Sequence, residues 1–536
     1  MIKGRHRAVV LAVLAAVAVG GCGASRPPVG EVGNVVGFAG AVAADEPRAV
    51  LVARDVLSSG GTAADAAVAL AFTMAVTNPS SAGLGGGGVC LVHDHKGKKT
   101  EALEFFAGSD ALGPKTTRAT AVPAMPRGMY ALHSRYGRLR WESLLVPAEN
   151  LARQGETVSR SLATDLSMVA GPLLEDPEAR KVLGHSDGSA LKEGERIVQL
   201  DLAAMIGRVR SQGPGSLYVG SDARILVEAV AAAGGSLTLD GLRKTTPRWT
   251  ETLQVRVDNT TAHFAPPPAA GGMAGQAWAM LNEDEAYRKA DADVRDNLLV
   301  ETAVRAVADR GRWMQPGGAS SVAPAELVGK ERIASLRAGM DPRRHVPVPA
   351  QGAAFTENPA AAGFVVADAE GSAVACTLTM NNQFGAGRIA PGTGILLAAA
   401  AHPAGRGPYA LAPMLLVKHN VNEVLFAATA SGGGAAVPAL MGVAAQTVLG
   451  GGALADAVAA PRAYAHLWTD AVYVEQTNDK TLAERLEKMG HRLGAVNALG
   501  RVNAISCPEG LPPKPDLCRV ATDPRGSGYA VISGKD

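Results

Sequence analysis

Three short segments of this sequence combine residue types that could bind a cofactor or carry out chemistry. Gly83-x-Gly85-x-x-Gly88 has the spacing of a dinucleotide-binding loop, and His93-Asp94-His95 contains possible metal ligands. Ser431, which is followed by three glycines, is a possible serine nucleophile. Each of these chemistries needs a particular structural context, so the elements predicted around the segments decide among them.

The predicted context favours none of the three. The glycine motif follows a helix and precedes a strand, the reverse of the order that binds a dinucleotide, so we interpret its glycines as positions of close backbone packing beside a pocket. His93-Asp94-His95 lies at a lysine-rich hairpin turn, which favours a solvated turn over a metal pair. Ser431 lies outside any G-x-S-x-G elbow. We therefore predict no cofactor and no metal site.

Helical and strand-like patterns alternate in the first part of the chain. An apolar stripe over residues 49–57 predicts one helix, and Thr62 can cap a second helix over residues 63–76. The second helix is apolar nearly all round and should be buried; Asn78-Pro79 ends it. The next predicted elements are a hairpin of strands 88–93 and 100–106, and helices 126–136 and 141–154.

Helices and strands are distributed unevenly after this point. Residues 156–345 are predicted to be mainly helical, and the proline-rich stretch 266–272 interrupts them. Strands predominate later, at residues 363–367, 373–380, 414–417 and 424–428. Strands that follow helices and pack beside them favour an α+β layered sandwich over repeated βαβ units.

The N-terminal residues predict export. Residues 1–21 have a basic start and a short apolar run, and with Cys22 they resemble a bacterial lipoprotein signal peptide. We expect Cys22 to carry a lipid that anchors the protein in the bacterial cell envelope, facing the periplasm or the exterior. Residues 22–37 would be a tether. In the alternative, an ordinary secretory signal, Cys22 is incidental.

The other four cysteines divide into two pairs with different predictions. Cys90 and Cys376 lie in apolar strand-like runs and are predicted to be buried thiols. Cys507 and Cys518 flank a turn-rich loop between two strand-like runs, and we predict a disulfide between them because an exported protein folds in an oxidising compartment.

Composition and charge indicate a folded globular protein. The chain has 536 residues, of which 47% are hydrophobic and 19% are charged. Its 52 basic and 50 acidic side chains give a formal charge of +2. Such a balance gives no phosphate-binding footprint, so we predict no nucleic-acid partner. The sequence leaves the oligomeric state open.

Collinear segments between residues 38 and 530 resemble the gamma-glutamyltransferase (gamma-glutamyltranspeptidase) family. Residues 60–69 and 78–88 are similar to the family signature GGNAxDAAVA…P-x-SSGxGGGG. The similarity continues in Val122-Pro123, Arg127-Gly128, residues 135–139, Pro147-Ala148, Pro267-Pro268, Gly271-Gly272, Ala308-Asp309-Arg310, residues 368–374, Thr379, Asn381, Phe384-Gly385 and residues 391–397.

The resemblance implies both a fold and a chemistry. The fold would be α+β, a four-layer αββα sandwich of the N-terminal-nucleophile hydrolase type. Family members cut themselves into a large and a small subunit, and the threonine released at the new N-terminus attacks gamma-glutamyl amides such as glutathione, with its own α-amine as base. The corresponding regions here would be residues 38–355 and 356–536, intertwined in one domain.

The family's nucleophile position falls on Ala361. Where the family has Thr-Thr-His, this chain has Ala361-Ala362-Gly363. A methyl group offers no oxygen or sulfur, so we expect neither self-cleavage nor covalent catalysis by the family route. Thr356, five residues earlier, is the alternative nucleophile, because a shifted cleavage would place it at a new N-terminus.

Several substrate-reading positions also differ from those of the family. The arginine that holds the α-carboxylate aligns with Phe106, the acidic residue for the α-ammonium falls near Pro403, and the serine pair aligns with Tyr409 and Ala410. Four positions match: Thr379 and Asn381, which assist the nucleophile and bind substrate in the family, and Gly433-Gly434, whose amides form the oxyanion hole. Structural roles for Thr379 and Asn381 remain equally open.

Three functions therefore remain as hypotheses. The leading one is a catalytically degenerate family member that keeps a pocket for a small peptide or another amide ligand. The second is an active enzyme that cleaves gamma-glutamyl or other amides with Thr356. The third is a purely structural lipoprotein of the cell envelope.

Overall fold

The computed structural model describes residues 37–110, 119–350, 360–402 and 405–534. The predictions for the signal peptide, Cys22, Thr356 and Pro403, and those for nearly all of the tether, lie outside these residues. Within them, no helix is both long enough and apolar enough to cross a membrane.

The helices of the described chain, numbered in chain order, are α1 (Pro47–Ser58), α2 (Ala63–Thr77), α3 (Pro79–Ala82), α4 (Met125–Tyr136), α5 (Trp141–Gln154), α6 (Arg160–Leu173), α7 (Pro177–Leu183), α8 (Leu200–Gln212), α9 (Ser221–Ala232), α10 (Leu239–Lys244), α11 (Gly271–Asn282), α12 (Ala286–Lys289), α13 (Ala292–Trp313), α14 (Pro324–Leu327), α15 (Lys330–Arg337), α16 (Ala436–Ala444), α17 (Leu454–Ala459) and α18 (Thr481–Lys488).

The strands are β1 (Gly40–Ala44), β2 (Gly87–Asp94), β3 (Lys99–Phe105), β4 (Glu156–Thr157), β5 (Arg196–Ile197), β6 (Arg248–Glu251), β7 (Leu253–Val257), β8 (Thr260–Phe264), β9 (Ala362–Asp368), β10 (Ala373–Thr379), β11 (Ile389–Ala390), β12 (Ile395–Leu396), β13 (Ala412–Lys418), β14 (Glu423–Ser431), β15 (Ala463–His466), β16 (Ala471–Glu475), β17 (Leu493–Val496), β18 (Arg501–Leu511), β19 (Arg519–Ala521) and β20 (Tyr529–Ser533).

Two antiparallel sheets form the centre of the fold. The first has seven strands in the order β20-β1-β9-β10-β2-β3-β6, and the second has six in the order β19-β18-β14-β13-β8-β7. Both sheets contain strands from before and after residues 351–359, so the two halves of the chain are interleaved. The strands β6, β7 and β8, within the region predicted to be mainly helical, were not predicted.

The buried residues show why the sheets stack. Along β2, Val89 and Leu91 belong to the core between the two sheets, whereas Cys90 and Val92 face the helix layer that contains α2. The outer face of the second sheet packs on α11, α13 and α16. Because successive side chains of a strand point to opposite faces, each sheet is buried on both sides. The four-layer α+β sandwich that the sequence resemblance implies is confirmed.

Local sequence accounts for α2, which lies against the first sheet. Thr62 and Asp65 form a capping box at its start, and Asn78-Pro79 ends it. All fifteen residues of the helix are buried, as its uniformly apolar sequence predicts. The glycines that follow pack as predicted: a Cβ on Gly85 would lie 2.2 Å from the Leu396 carbonyl oxygen, and one on Gly88 would lie 2.4 Å from that of Thr377.

The prediction of free thiols at Cys90 and Cys376 is wrong. The two residues lie directly opposite each other on the paired strands β2 and β10, and they form a disulfide. The sequence could not show this because 286 residues separate them and the pairing of the two strands is long-range. A second disulfide joins Cys507 to Cys518.

The prediction of a solvated turn is wrong for His93. Its side chain is buried, with Nδ1 2.8 Å from Thr100 Oγ1 and Nε2 2.8 Å from the Asn422 carbonyl oxygen. The strand β2 extends through Asp94, so the exposed turn is confined to residues 96–98. Burial lowers the pKa of His93 to about 4, which keeps the imidazole neutral.

Candidate active site

Ala361, the predicted nucleophile position, lies at the start of β9, between the two sheets. Ala361 directly precedes this strand, is 5% exposed, and contributes its methyl group to the inter-sheet core. The guanidinium of Arg501 donates to its carbonyl oxygen at 3.3 Å. The position is therefore held in place from both sheets.

Thr379 contacts the peptide group that family chemistry would break. Its hydroxyl donates to the carbonyl oxygen of Ala360 at 2.7 Å and accepts from the Asn381 amide nitrogen at 2.9 Å. A hydrogen bond to this oxygen polarises the Ala360–Ala361 peptide, as an oxyanion donor does. Beside the polarised carbonyl, residue 361 supplies only a methyl group.

Asn381 joins the segment that follows Phe106 to the segment around Ala399. Both segments follow or precede positions where the sequence differs from the family at a substrate contact. Asn381 Nδ2 donates to the carbonyl oxygens of Ala107 at 2.8 Å and Ala399 at 2.9 Å. Both amide protons are thus used within the protein, and the residue has a φ of +60°. Asn381 therefore has a structural role in joining these two segments.

The oxyanion-hole candidates lie at the beginning of a helix. Gly433 and Gly434 follow β14 and precede α16, where the first N–H groups have no acceptor within the helix and the helix dipole is positive. Arg501, which binds Ala361, pairs with Ser431 across β14 and β18, so this turn belongs to the same end of the sheets. The Ser431 hydroxyl is buried and finds no hydrogen-bond partner among the described residues.

The remaining sequence-predicted positions form apolar or aromatic surfaces. Phe106 is partly buried against the inter-sheet core, and Tyr409 is 2% exposed with its ring packed over Gly318. Ala410 lines a narrow cavity together with Gly433 and Gly434. Burial raises the pKa of Tyr409, so its phenol stays neutral.

Two polar residues that position β9 were not predicted from the sequence. Asp45 Oδ2 accepts from the Gly363 amide at 2.9 Å, and Asp45 Oδ1 accepts from Asn503 Nδ2, also at 2.9 Å. Asn503 Nδ2 also donates to the Gly363 carbonyl oxygen at 3.0 Å. Because these residues lie more than a hundred positions apart in sequence, no local motif could have identified them.

A partly buried carboxyl group, that of Asp165, lies on the helical side of the same region. Ser80 Oγ donates to Asp165 Oδ2 at 2.5 Å and lies 3.0 Å from Asn78 Oδ1. Burial raises the pKa of Asp165, while the hydrogen bond from Ser80 and the charge of Arg501 oppose the rise. No sequence motif pointed to this group either.

Comparisons with known proteins agree on one family. The model of the family described as gamma-glutamyltranspeptidase matches residues 49–533. Glutathione hydrolase 3 of Arabidopsis thaliana is 32% identical over 376 residues, which cover 67% of this chain and 59% of that protein. The glutathione hydrolase proenzyme of Escherichia coli K12 is 26% identical over 519 residues, or 87% and 88% of the two chains.

A solved structure supports the fold independently. A cephalosporin acylase from Bacillus halodurans superposes with a TM-score of 0.78, covering 95% of this chain and 98% of its own, at 24% sequence identity. At that identity the likeness concerns the fold alone.

Proposed function

Because this chain belongs to the gamma-glutamyltranspeptidase family, we propose that it is a member that neither cleaves itself nor transfers gamma-glutamyl groups. In this proposal the protein remains a single chain and keeps a pocket for a peptide-like or amide ligand. The chain would keep the fold of the family but lack the side chains that the family's reaction needs.

The observation that carries the proposal is the methyl group of Ala361 beside the Ala360 carbonyl. Thr379 donates to that carbonyl, but Ala361 has no atom that can attack it. Loss of the nucleophile in a hydrolase lowers turnover by about 10⁶-fold, which the other groups of a site do not restore. The absence of a nucleophile at residue 361 therefore lowers activity more than the retained Thr379, Asn381 and glycine amides could restore.

The changed ligand contacts support the same conclusion. Phe106, Tyr409 and Ala410 offer no charge complementary to the α-carboxylate of a gamma-glutamyl group. Each lost charged hydrogen bond is worth about 1.5–3 kcal/mol, so two lost bonds weaken binding by roughly 10² to 10⁴-fold. A ligand of this site would be less charged than glutathione.

We also propose that a lipid on Cys22 keeps the protein in the bacterial cell envelope. The supporting observation is the basic and apolar N-terminal sequence that ends at Gly21-Cys22. Replacing Cys22→Ser should release the protein from membrane fractions into the soluble fraction. Membrane association that persists in this variant would contradict the proposal.

Reducing denaturing electrophoresis and intact-mass measurement of the purified protein test the lack of processing. The gel must be reducing, because the disulfide Cys90–Cys376 would hold cleaved fragments together. We expect one polypeptide that has lost only its signal peptide and has no internal cleavage. Two stoichiometric fragments cut between residues 355 and 361 would overturn the proposal.

A chromogenic gamma-glutamyl amide tests the lack of turnover. We expect no product above that of the Ala361→Val variant, which adds two methyl groups and no nucleophile. Product release that is lost on Thr356→Ala would establish the active enzyme instead. Ligand binding is tested separately by thermal shifts with glutathione and neutral dipeptides, and no shift with any of them would leave the structural lipoprotein.

A further inference from the structure

A cluster of metal-ligating side chains lies among α13 and the elements that pack on it. Glu301 belongs to α13, His345 follows α15, and His491 lies between α18 and β17. One potential ligand atom of each residue lies within 4.8 Å of the others. The sequence analysis predicted no metal site, because these residues share no motif and come from three separate segments.

We propose that Glu301, His345 and His491 bind a divalent first-row transition-metal ion. Glu301 Oε1 faces both imidazoles, 2.7 Å from His345 Nδ1 and 3.9 Å from His491 Nε2. The imidazole rings lie with centroids 4.6 Å apart, tilted by 36°. A bound ion would replace the proton that now joins Glu301 to His345, as metal binding does when it releases protons.

Hydrogen bonds from neighbouring side chains orient each of the three groups. His345 Nε2 lies 3.1 Å from Asp470 Oδ1, and His491 Nε2 lies 2.6 Å from Asn297 Oδ1. The amide nitrogen of Asn297 donates to two backbone carbonyls, which directs its oxygen to the histidine. Arg305 binds Glu301 Oε2 and leaves Oε1 to the histidines. Metal-binding histidines and carboxylates are commonly oriented by such partners.

A buried nitrogen in this cluster lacks a partner. His491 donates from Nε2 to Asn297 Oδ1, so its lone pair is on Nδ1. On His345, the Nδ1 lone pair becomes available when the ion replaces the proton shared with Glu301. The Nδ1 atom of His491 is buried and finds no hydrogen-bond partner among the described residues, although His491 is only 5% exposed. An unsatisfied buried nitrogen costs about 1–3 kcal/mol, and an ion bound to the ring would compensate for it.

The donor set selects the class of ion. Two imidazole nitrogens and one carboxylate oxygen suit Zn²⁺ and the neighbouring divalent transition metals, whereas Ca²⁺ and Mg²⁺ prefer oxygen ligands throughout. Glu301 and His491 are buried, while the side chain of His345 is 14% exposed and gives access from solvent. The ion would join three segments of the chain. Asp470 and Asn297 would keep their hydrogen bonds to the two histidines.

Titration of the metal-free full chain with ZnCl₂ by calorimetry, together with elemental analysis, tests the proposal. We expect one equivalent of zinc to bind, with at least tenfold weaker affinity in His345→Gln and in His491→Gln. His185→Gln is the matched control, because His185 also pairs with a carboxylate, that of Glu195, but lies outside the cluster. Its affinity should equal that of the unmodified chain.

A second measurement uses only the unmodified chain, so it does not depend on the folding of a variant. The visible absorption of the Co²⁺-loaded full chain reports whether the ion is held in a low-coordinate protein site, and Zn²⁺ should displace Co²⁺ stoichiometrically. Failure of both ions to bind the full chain would overturn the proposal. Binding with equal affinity in the unmodified chain and in folded His345→Gln and His491→Gln would also overturn it, by placing the ion elsewhere.

Discussion

At residue 361, where we propose that a nucleophile has been lost, the polar contacts around the peptide group are in place. Thr379 still donates to the Ala360 carbonyl, Arg501 still holds Ala361, and Asp45 fixes the backbone of Gly363. These contacts orient the peptide group that a nucleophile would attack. The carbonyl is thus prepared for self-cleavage in a chain that we propose is never cut.

We therefore predict that Ala361→Thr restores self-cleavage between residues 360 and 361. The new hydroxyl would lie next to a carbonyl that Thr379 already polarises. Reducing denaturing electrophoresis of the variant should show two fragments that accumulate during incubation. Ala361→Val has the same shape without the oxygen and should stay intact, and adding Thr379→Val should slow the cleavage. A variant that folds but remains uncut would mean that the site has lost more than its nucleophile.

Burial of His93 and His263 predicts acid sensitivity. Burial lowers the pKa of His93 to about 4 and that of His263 to about 3, from an ordinary value of 6.5. At a pH between 6.5 and the lowered pKa, each histidine binds a proton in the unfolded chain but not in the folded chain. The free energy of unfolding therefore falls as the pH drops below 6.5. His93 alone should account for a loss of about 3 kcal/mol by pH 4.

Urea unfolding between pH 4 and 7.5 measures this loss. The His93→Gln variant should show a smaller pH slope than the unmodified chain, by about one proton. Ala361→Val, which changes no titratable group, should leave the slope unchanged. A His93→Gln slope equal to that of the unmodified chain would refute the assignment to His93.

Among the elements, the two disulfides differ in what they connect. Cys90–Cys376 joins β2 to β10 in the first sheet over a separation of 286 residues, whereas Cys507–Cys518 closes a loop over a separation of 11. A cross-link stabilises mainly by restricting the unfolded chain, and the restriction grows with the logarithm of loop length. The longer loop should therefore contribute more stability.

We predict that Cys90→Ala with Cys376→Ala lowers the free energy of unfolding by about 3 kcal/mol more than Cys507→Ala with Cys518→Ala. Each double variant removes the same two sulfur atoms from buried positions, so the comparison isolates the loop length. Chemical unfolding of the three proteins without reductant measures the difference. Equal losses would show that strain or residual structure, rather than loop entropy, controls both bonds.

The elements also show how far sequence reasoning extends. The α2 helix was predictable because its capping box, its uniformly apolar residues and Asn78-Pro79 are all local signals. The β2–β3 hairpin was predictable for the same reason, but the burial of His93 was not, because it depends on a contact with the distant Asn422 carbonyl oxygen. The prediction of a site at Ala361 rests on the family resemblance, whereas Asp45, Asn503 and the disulfide Cys90–Cys376 depend on long-range strand pairing that no local pattern records.

At the scale of the molecule, the two halves of the chain share every central layer. The β1 strand, from before residues 351–359, lies between β20 and β9, which come from after them; β2 pairs with β10, and β8 pairs with β13. Separating the halves would break these ladders of hydrogen bonds and expose the core between the sheets. Continuity of the chain at residues 351–359 is therefore not what holds the folded protein together.

A protease site inserted between Gln351 and Pro359 tests this interleaving. After cleavage, we expect one species by gel filtration, two bands on a reducing denaturing gel, and one band on a non-reducing gel because Cys90–Cys376 joins the fragments. Adding Cys90→Ala and Cys376→Ala should give two bands on both gels while gel filtration still shows one species, since the shared sheets hold the halves without a covalent bond. Fragments of that variant that separate in native buffer would show that the disulfide, and not the shared sheets, keeps the halves associated.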